Sequence, residues 1–486
     1  MQSRSSEIFG NKTKEKVLGK AEKSKLKFEK KFGDDSKIDY VYHFEDNDTL
    51  GKILGVKNMV LGGKEEIYDK KAIIIGNIRM GFGHYRISMA MASAANHLGY
   101  VPYWMDLNSM SVSTGGKVIS SQNDLYSFGS RLSSKSKLFN KFYWEPLNYE
   151  GFRKLSYNAI DQKNAELMAP LFKNVTKEIP VIATHVWPAQ AAIHGNMKYV
   201  VNAIPDNWPM ALHLAEGSVH TVQTHSSYLG YRLLNGMDGN KILNPIPKEC
   251  IEETGHYVDH EIVSNIEKDC DKRKRRSKEG EPIRFLLTIG GAGAQKDIFV
   301  AIIKHLLPRI KKKEVVLFVN VGDYKDVWDE IIDEIDGMKN VTKEHLNEWE
   351  VSVKWAESWL DNKVYGIHGF YHEDIFEAVY ITNLLMRCSD VLVTKPSELA
   401  FYPIPKLFIK RIGGHEKWGA VHSSEIGDGS IECNDTPHVI QMLDLMISDR
   451  DVVNDMCENL VKNKSIGLYD GAYNAVKTAI RLKEEE

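Results

Sequence analysis

The chain has 486 residues, 43% of them hydrophobic and 27% charged, with a net charge of -3. That length supports two or three domains, each with its own core, and the composition excludes both a disordered chain and a broadly basic nucleic-acid binder. Five cysteines without a CxxC pair offer neither a zinc site nor a disulfide framework, and no apolar run approaches the roughly 20 residues that span a bilayer, so a reducing, cytoplasmic setting is expected.

Residues 1 to about 35 are rich in lysine, from Lys12 to Lys31, with Glu15, Glu22 and Glu29 between. They read as a solvated arm within an N-terminal extension (1–70), and a polybasic arm can also rest on an anionic membrane, on its inner, cytoplasmic face. Residues 71–106 then give an apolar strand (Ala72 to Ile75), a glycine loop GNIRMGFGH (Gly76 to His84), an alanine-rich helix and a second strand ending at Asp106. Gly81, Gly83 and Asp106 fit a dinucleotide fingerprint, but Arg86 stands where its third glycine belongs, and the loop is too long for that turn. His84 at the helix mouth is foreign to that motif and reads either as a helix-end structural residue or as a functional one.

Further strands at Val181 to Ala183, Tyr199 to Ile204 and Thr221 to Gln223 complete a first α/β domain over 71–268. The charged run within 269–282 reads as a linker. A second unit restarts at Ile283 to Ile289 with a glycine loop (Gly290, Gly291, Gly293) and strands at Val315 to Val319, Val364 to Ile367, Val391 to Val393 and Leu407 to Ile409, filling 283–450. A helical segment, 451–486, follows. The expected fold class is α/β: two doubly wound, Rossmann-like domains facing a cleft that holds the ligand.

In the second unit two neighbouring strands end in polar loops, one with Thr394, Lys395, Ser397 and Glu398, the other with Lys410, Arg411, His415 and Glu416. Loops at the carboxyl ends of parallel strands line one crevice, where a cation and helix N-termini can neutralise a diphosphate and a carboxylate can accept ribose hydroxyls. For Glu398 the plain alternative is a first-turn glutamate stabilising its helix.

At several ordered places the chain resembles the GT-B glycosyltransferases, and more closely the group of monogalactosyldiacylglycerol synthase and the peptidoglycan enzyme that adds N-acetylglucosamine to a lipid intermediate. GFGH (81–84), ATH ending at His185, VVNAIPDNWP (200–209), KILNPIP (241–247), GGAGAQ (290–295), HGFYHED around Phe370, SDVLVTKPSEL (389–399) and GGHEKWGA (413–420) are similar to that group's motifs. Pro396 and Ser397 shorten the loop between lysine and glutamate, His415 replaces a glutamine and Ala420 an asparagine. The resemblance implies an inverting glycosyltransferase that needs no metal and no cofactor beyond a nucleotide-sugar co-substrate, UDP-linked. Gly290, Gly291 and Gly293 would approach phosphate or sugar, Phe370 the base, Lys395 and Ser397 the diphosphate, Glu398 the ribose, and His415 with Glu416 the sugar. His84 would be the general base and Asp206 a second base or orienting carboxylate, with Gly81, Gly83 and His185 on the acceptor side. The acceptor hydroxyl is unassigned, a lipid being one candidate; Tyr103, Trp104, Met105, Phe142, Tyr143 and Trp144 belong either to its site or to the core. A non-hydrolysing sugar-nucleotide epimerase and a non-catalytic nucleotide-sugar or partner-binding protein are the alternatives. No nucleic-acid partner is expected.

Overall fold

The structure, a computed structural model, describes residues 4–289 and 295–485. A short antiparallel hairpin, β1 (Glu7–Ile8) and β2 (Asn11–Lys12), precedes an eight-stranded sheet. Its strands are β3 (Tyr42–Asp46), β4 (Lys57–Leu61), β5 (Ala72–Asn77), β6 (Val101–Asp106), β7 (Val181–Ala183), β8 (Val200–Ala203), β9 (Val219–Val222) and β10 (Ile251–Glu253), in the order β10-β9-β8-β7-β5-β6-β4-β3. The β3–β4 pair is antiparallel and the other pairings are parallel. Helices cover both faces, which is why all of β5 is buried and reads as an unbroken apolar run.

Residues 1–70 are therefore not a separate extension, because β3 and β4 form the edge of the first sheet. The lysine-rich segment is not a free arm either. It folds into helix Glu15–Phe32, whose Ala21, Phe28 and Phe32 recur at helical spacing and turn inward, while Lys25 pairs with Glu166 at 2.8 Å and Glu22 with Lys163 at 3.2 Å.

The second sheet is wholly parallel: β11 (Ile283–Thr288), β12 (Val315–Asn320), β13 (Thr342–Leu346), β14 (Gly366–Tyr371), β15 (Val391–Thr394), β16 (Lys406–Phe408) and β17 (Gly429–Glu432), ordered β13-β14-β12-β11-β15-β16-β17. The expected linker is instead helix Ile266–Lys278, integral to this domain. Its Ile266, Asp269, Cys270, Arg273 and Arg276 are buried on one face, with Arg276 paired to Asp390 at 2.7 Å and Arg273 donating to the carbonyls of Met386 and Ser389. The C-terminal segment divides. Helix Asp451–Ser465 adds to the second domain's cores, whereas Ala472, Ala475, Val476 and Ala479 of helix Gly471–Glu484 join the core formed by β5 and helix Gly83–His97 in the first.

Strand order reverses between β5 and β7 in the first sheet and between β11 and β15 in the second. In open parallel sheets ligands bind outside the carboxyl ends of the strands at such reversals. Here the two reversals face each other. Helix Gly83–His97 lies at the junction, where its Arg86 donates to Asn383 of the second domain at 2.7 Å, and the Phe82 ring covers Gly322. Gly322 has φ +62°, and a Cβ there would stand 2.5 Å from that ring, so two constraints require glycine.

Candidate active site

Between the two reversals lies a cavity of about 460 Å³, lined from the first domain by Gly81, Gly83, His84, Arg86, His185, Asp206 and His213 and from the second by Lys395, Ser397, Glu398, His415 and Glu416. Gly81 turns the loop after β5 at φ +70°, and the helix begins at Gly83, setting His84 over the end of β7. His84 Nδ1 lies 2.7 Å from the Thr184 carbonyl. A carbonyl only accepts, so Nδ1 carries the proton and Nε2 keeps the lone pair. Burial lowers the imidazole's pKa, outweighing that hydrogen bond, and keeps it neutral. His185 packs edge-on against His84 at 4.7 Å and caps helix Val186–His194, its Nδ1 accepting from the Trp187 amide; burial drives its pKa well below the ordinary value.

Asp206 follows β8 on the same wall. Its Oδ2 accepts from His213 Nε2 at 3.0 Å, and its Oδ1 lies 3.9 Å from His415 Nε2 across the cleft. Burial alone would raise this carboxyl, but His415 and the His213 hydrogen bond more than offset it and hold Asp206 below the usual range, as an anion. His213 was not signalled by any motif; it sits in the short turn Ala211–His213, and its position seven residues after Asp206 is its one sequence cue.

On the opposite wall the loops after β15 and β16 meet. Lys395 is ion-paired with Glu416 Oε1, while Glu416 Oε2 accepts from the amides of Ile412 at 2.8 Å and Gly413 at 3.3 Å. Desolvation opposes both charges, yet their attraction raises Lys395 and lowers Glu416. Both Glu416 oxygens are thus engaged in organising the loop. Glu398 stands by Gly83 and Arg86: a Cβ on Gly83 would lie 3.2 Å from its Oε2, and Arg86 Nε is 3.8 Å from its Oε1.

Phe370 requires correction. It is fully buried within β14, stacked on His345 at 4.6 Å beneath helices, and does not line the cavity, so the expected nucleobase contact is not available to it. Gly290, Gly291 and Gly293 lie outside the described residues. Tyr103, Trp104 and Met105 belong to the core, Trp144 lines the cavity, and Phe142 and Tyr143 are exposed. Among the described residues no three His, Cys, Asp or Glu side chains are grouped to hold a metal ion, and no helix is long and apolar enough to cross a membrane.

Residues 7–233 match a family model described as Domain of unknown function (DUF6937), and residues 246–480 match a second, Domain of unknown function (DUF6938). No curated protein matches the sequence. Among solved structures, the UDP-GlcNAc 2-epimerase from Neisseria meningitidis bound to UDP-GlcNAc is similar over 85% of this chain and 100% of its own, at 12% identity and a TM-score of 0.46. The glycosyltransferase VinC in complex with dTDP is similar over 85% and 100%, at 10% identity and 0.43. The trehalose 6-phosphate synthase from Burkholderia multivorans is similar over 71% and 83%, at 11% identity and 0.39.

Proposed function

We propose that this protein is a glycosyltransferase that moves a sugar from a nucleoside diphosphate, UDP in the first instance, to an acceptor hydroxyl. One observation carries the reading: the two strand-order reversals open on a single cavity, with a neutral imidazole and an anionic carboxylate on one wall and cation-bearing loops on the other. A donor bound against the second domain would direct its anomeric carbon toward the first. His84 Nε2 then takes the proton of the attacking hydroxyl as the glycosidic bond to the diphosphate breaks, and the diphosphate leaves toward Lys395 and the loop amides. Lys395 must exchange part of its pairing with Glu416 for phosphate oxygens as the donor enters.

Beyond His84, His185, Asp206 and His213, the first-domain wall is mainly apolar. Leu125, Trp144, Leu147, Phe152, Met210 and Leu212 line the cavity, and the helix Thr114–Lys135 that carries Leu125 leads outward to exposed Phe128, Leu138, Phe142 and Tyr143. This supports an acceptor with an apolar chain, such as a lipid, delivered from a membrane surface on which the exposed face rests.

Incubating the full chain with a panel of UDP- and dTDP-sugars, with and without amphiphilic acceptors, tests the assignment. The expected result is nucleotide release that increases with acceptor and falls in His84→Ala while donor binding persists. A sugar isomerised without acceptor would make the protein an epimerase, binding without turnover a non-catalytic one, and no binding across the panel would end the nucleotide-sugar reading.

A further inference from the structure

Arg86 occupies the place of the third glycine in a dinucleotide fingerprint, and the structure shows what the larger side chain does there. From the first turn of helix Gly83–His97 it crosses the domain junction, almost wholly buried. Its Nη1 donates to Asn383 Oδ1 at 2.7 Å and to the Val379 carbonyl at 3.4 Å. Asn383 is itself fixed, donating to Asp259 Oδ2 at 2.9 Å, where the Tyr402 hydroxyl also donates at 3.1 Å. The guanidinium is therefore held rigidly from behind. Its Nε is buried, has no hydrogen-bond partner and stands 3.8 Å from Glu398 Oε1.

Both Arg86 and Glu398 line the cavity. Glu398 is confined on its other side by Gly83, where even a methyl group would approach Oε2 to 3.2 Å. A first-domain arginine and a first-domain glycine thus define where a second-domain carboxylate stands.

We propose that Arg86 is a positioning residue: it holds the Glu398 carboxylate at the ribose of the bound nucleotide, so that recognition of the ribose 2′-hydroxyl depends on a residue of the opposite domain. This rests on the nucleotide-sugar reading. A carboxylate anchored through one oxygen keeps the other as an acceptor for a hydroxyl, and hydrogen bonds to charged acceptors are strong enough to discriminate about tenfold or more. Because the anchor comes from the first domain, ribose recognition would also require the domains to be in contact.

Calorimetric titration of the full chain with UDP and with 2′-deoxy-UDP tests this. Wild type is expected to prefer UDP about tenfold or more; Arg86→Met should bring the two affinities within about threefold of each other while leaving 2′-deoxy-UDP binding close to wild type. Arg86→Lys, which keeps the charge without the planar fork, should fall between, and Gly83→Ala, which crowds the carboxylate from the other side, should weaken the preference as well. An unchanged preference in Arg86→Met, or equal loss of both ligands, would make Arg86 a purely structural staple and overturn the proposal. Should Arg86→Met fail to fold, Arg86→Lys and Gly83→Ala decide by the same ratio. If wild type binds UDP without preference, the ribose role fails while the nucleotide reading stands; if it binds neither nucleotide, both fail.

Discussion

Three imidazoles and a carboxylate share the first-domain wall, and the hydrogen bonds of His84 and His213 assign these two different parts. His213 gives its Nε2 proton to Asp206, whereas His84 has its proton fixed on Nδ1 by the Thr184 carbonyl and keeps Nε2 basic. A base works only when neutral, and burial lowers the His84 pKa from the ordinary 6.5. The acid limb of kcat/KM against pH is therefore expected to have its midpoint below 6.5, and His84→Ala to lose about a hundredfold or more in kcat. A midpoint at or above 6.5 would remove His84 from the role. His84 and Asp206 were legible because each ends a strand-and-loop pattern; His213 was not, since a histidine in a short turn carries no pattern and acquires meaning only from the fold that folds it back on Asp206. Phe370 shows the opposite error. Its motif placed it correctly on a strand, but its ring is buried against His345 and away from the cavity, which the buried strands reach only through residues at their carboxyl ends such as Asn320 and Thr394.

At the scale of elements, the misread segments share one physical cause: charge concealed a buried face. Helix Ile266–Lys278 has the composition of a linker, yet its arginines are neutralised by Asp390 and by carbonyls inside the second domain. Helix Glu15–Phe32 is lysine-rich on one side and packs Phe28 and Phe32 on the other. Removing residues 1–35 would strip a packed helix, so it is a poor test of membrane contact. The exposed aromatic residues on helix Thr114–Lys135 and just after it are the better target. Phe128→Glu combined with Phe142→Glu replaces two side chains that are 60% and 71% exposed, so stability should change by about 0.5 kcal/mol or less. Co-sedimentation with anionic vesicles should nevertheless fall several-fold, together with transfer to an apolar acceptor but not donor binding. Unaltered sedimentation would assign these side chains to some other surface. The glycine loop, the two strand-end clusters and the doubly wound architecture were legible because each produces a local change of pattern; the order of domains along the last helix was not, because Gly471–Glu484 resembles any amphipathic helix until its partner is known.

For the whole molecule, burial perturbs two opposing sets of groups, and together they fix the pH at which the fold is most stable. Burial pushes Asp161 up to about 8 and, with help from Glu261, Asp259 up to about 7. Each is protonated when folded and ionised when unfolded near neutral pH, so the folded state binds more protons and stability falls as pH rises through 7 and 8. Burial also holds His194, His220, His368 and His422 down at about 4 and His345 at about 3. These bind protons in the unfolded chain below about 6.5 but not in the folded one, so stability falls as pH drops from 6.5 toward 4. In that acidic window Asp161 and Asp259, with Glu377 raised to about 7 and Asp106 to about 6, still favour the folded state as pH falls, but these four carboxyls are outnumbered by six histidines once His372, also held at about 4, is included. The melting temperature should therefore peak between about pH 6.5 and 7, decline by the equivalent of roughly 1 kcal/mol on going to pH 8.5, where the carboxyl loss is partly offset by the histidines, and decline more steeply below pH 5.5. Asp161→Asn removes the larger alkaline contribution while leaving the histidines untouched, and should abolish the alkaline decline and steepen the acid side. A wild-type melting temperature that rises steadily from pH 6.5 to 8.5, or an Asp161→Asn profile that parallels it across the range, would contradict the assignment of the alkaline slope to this buried carboxyl.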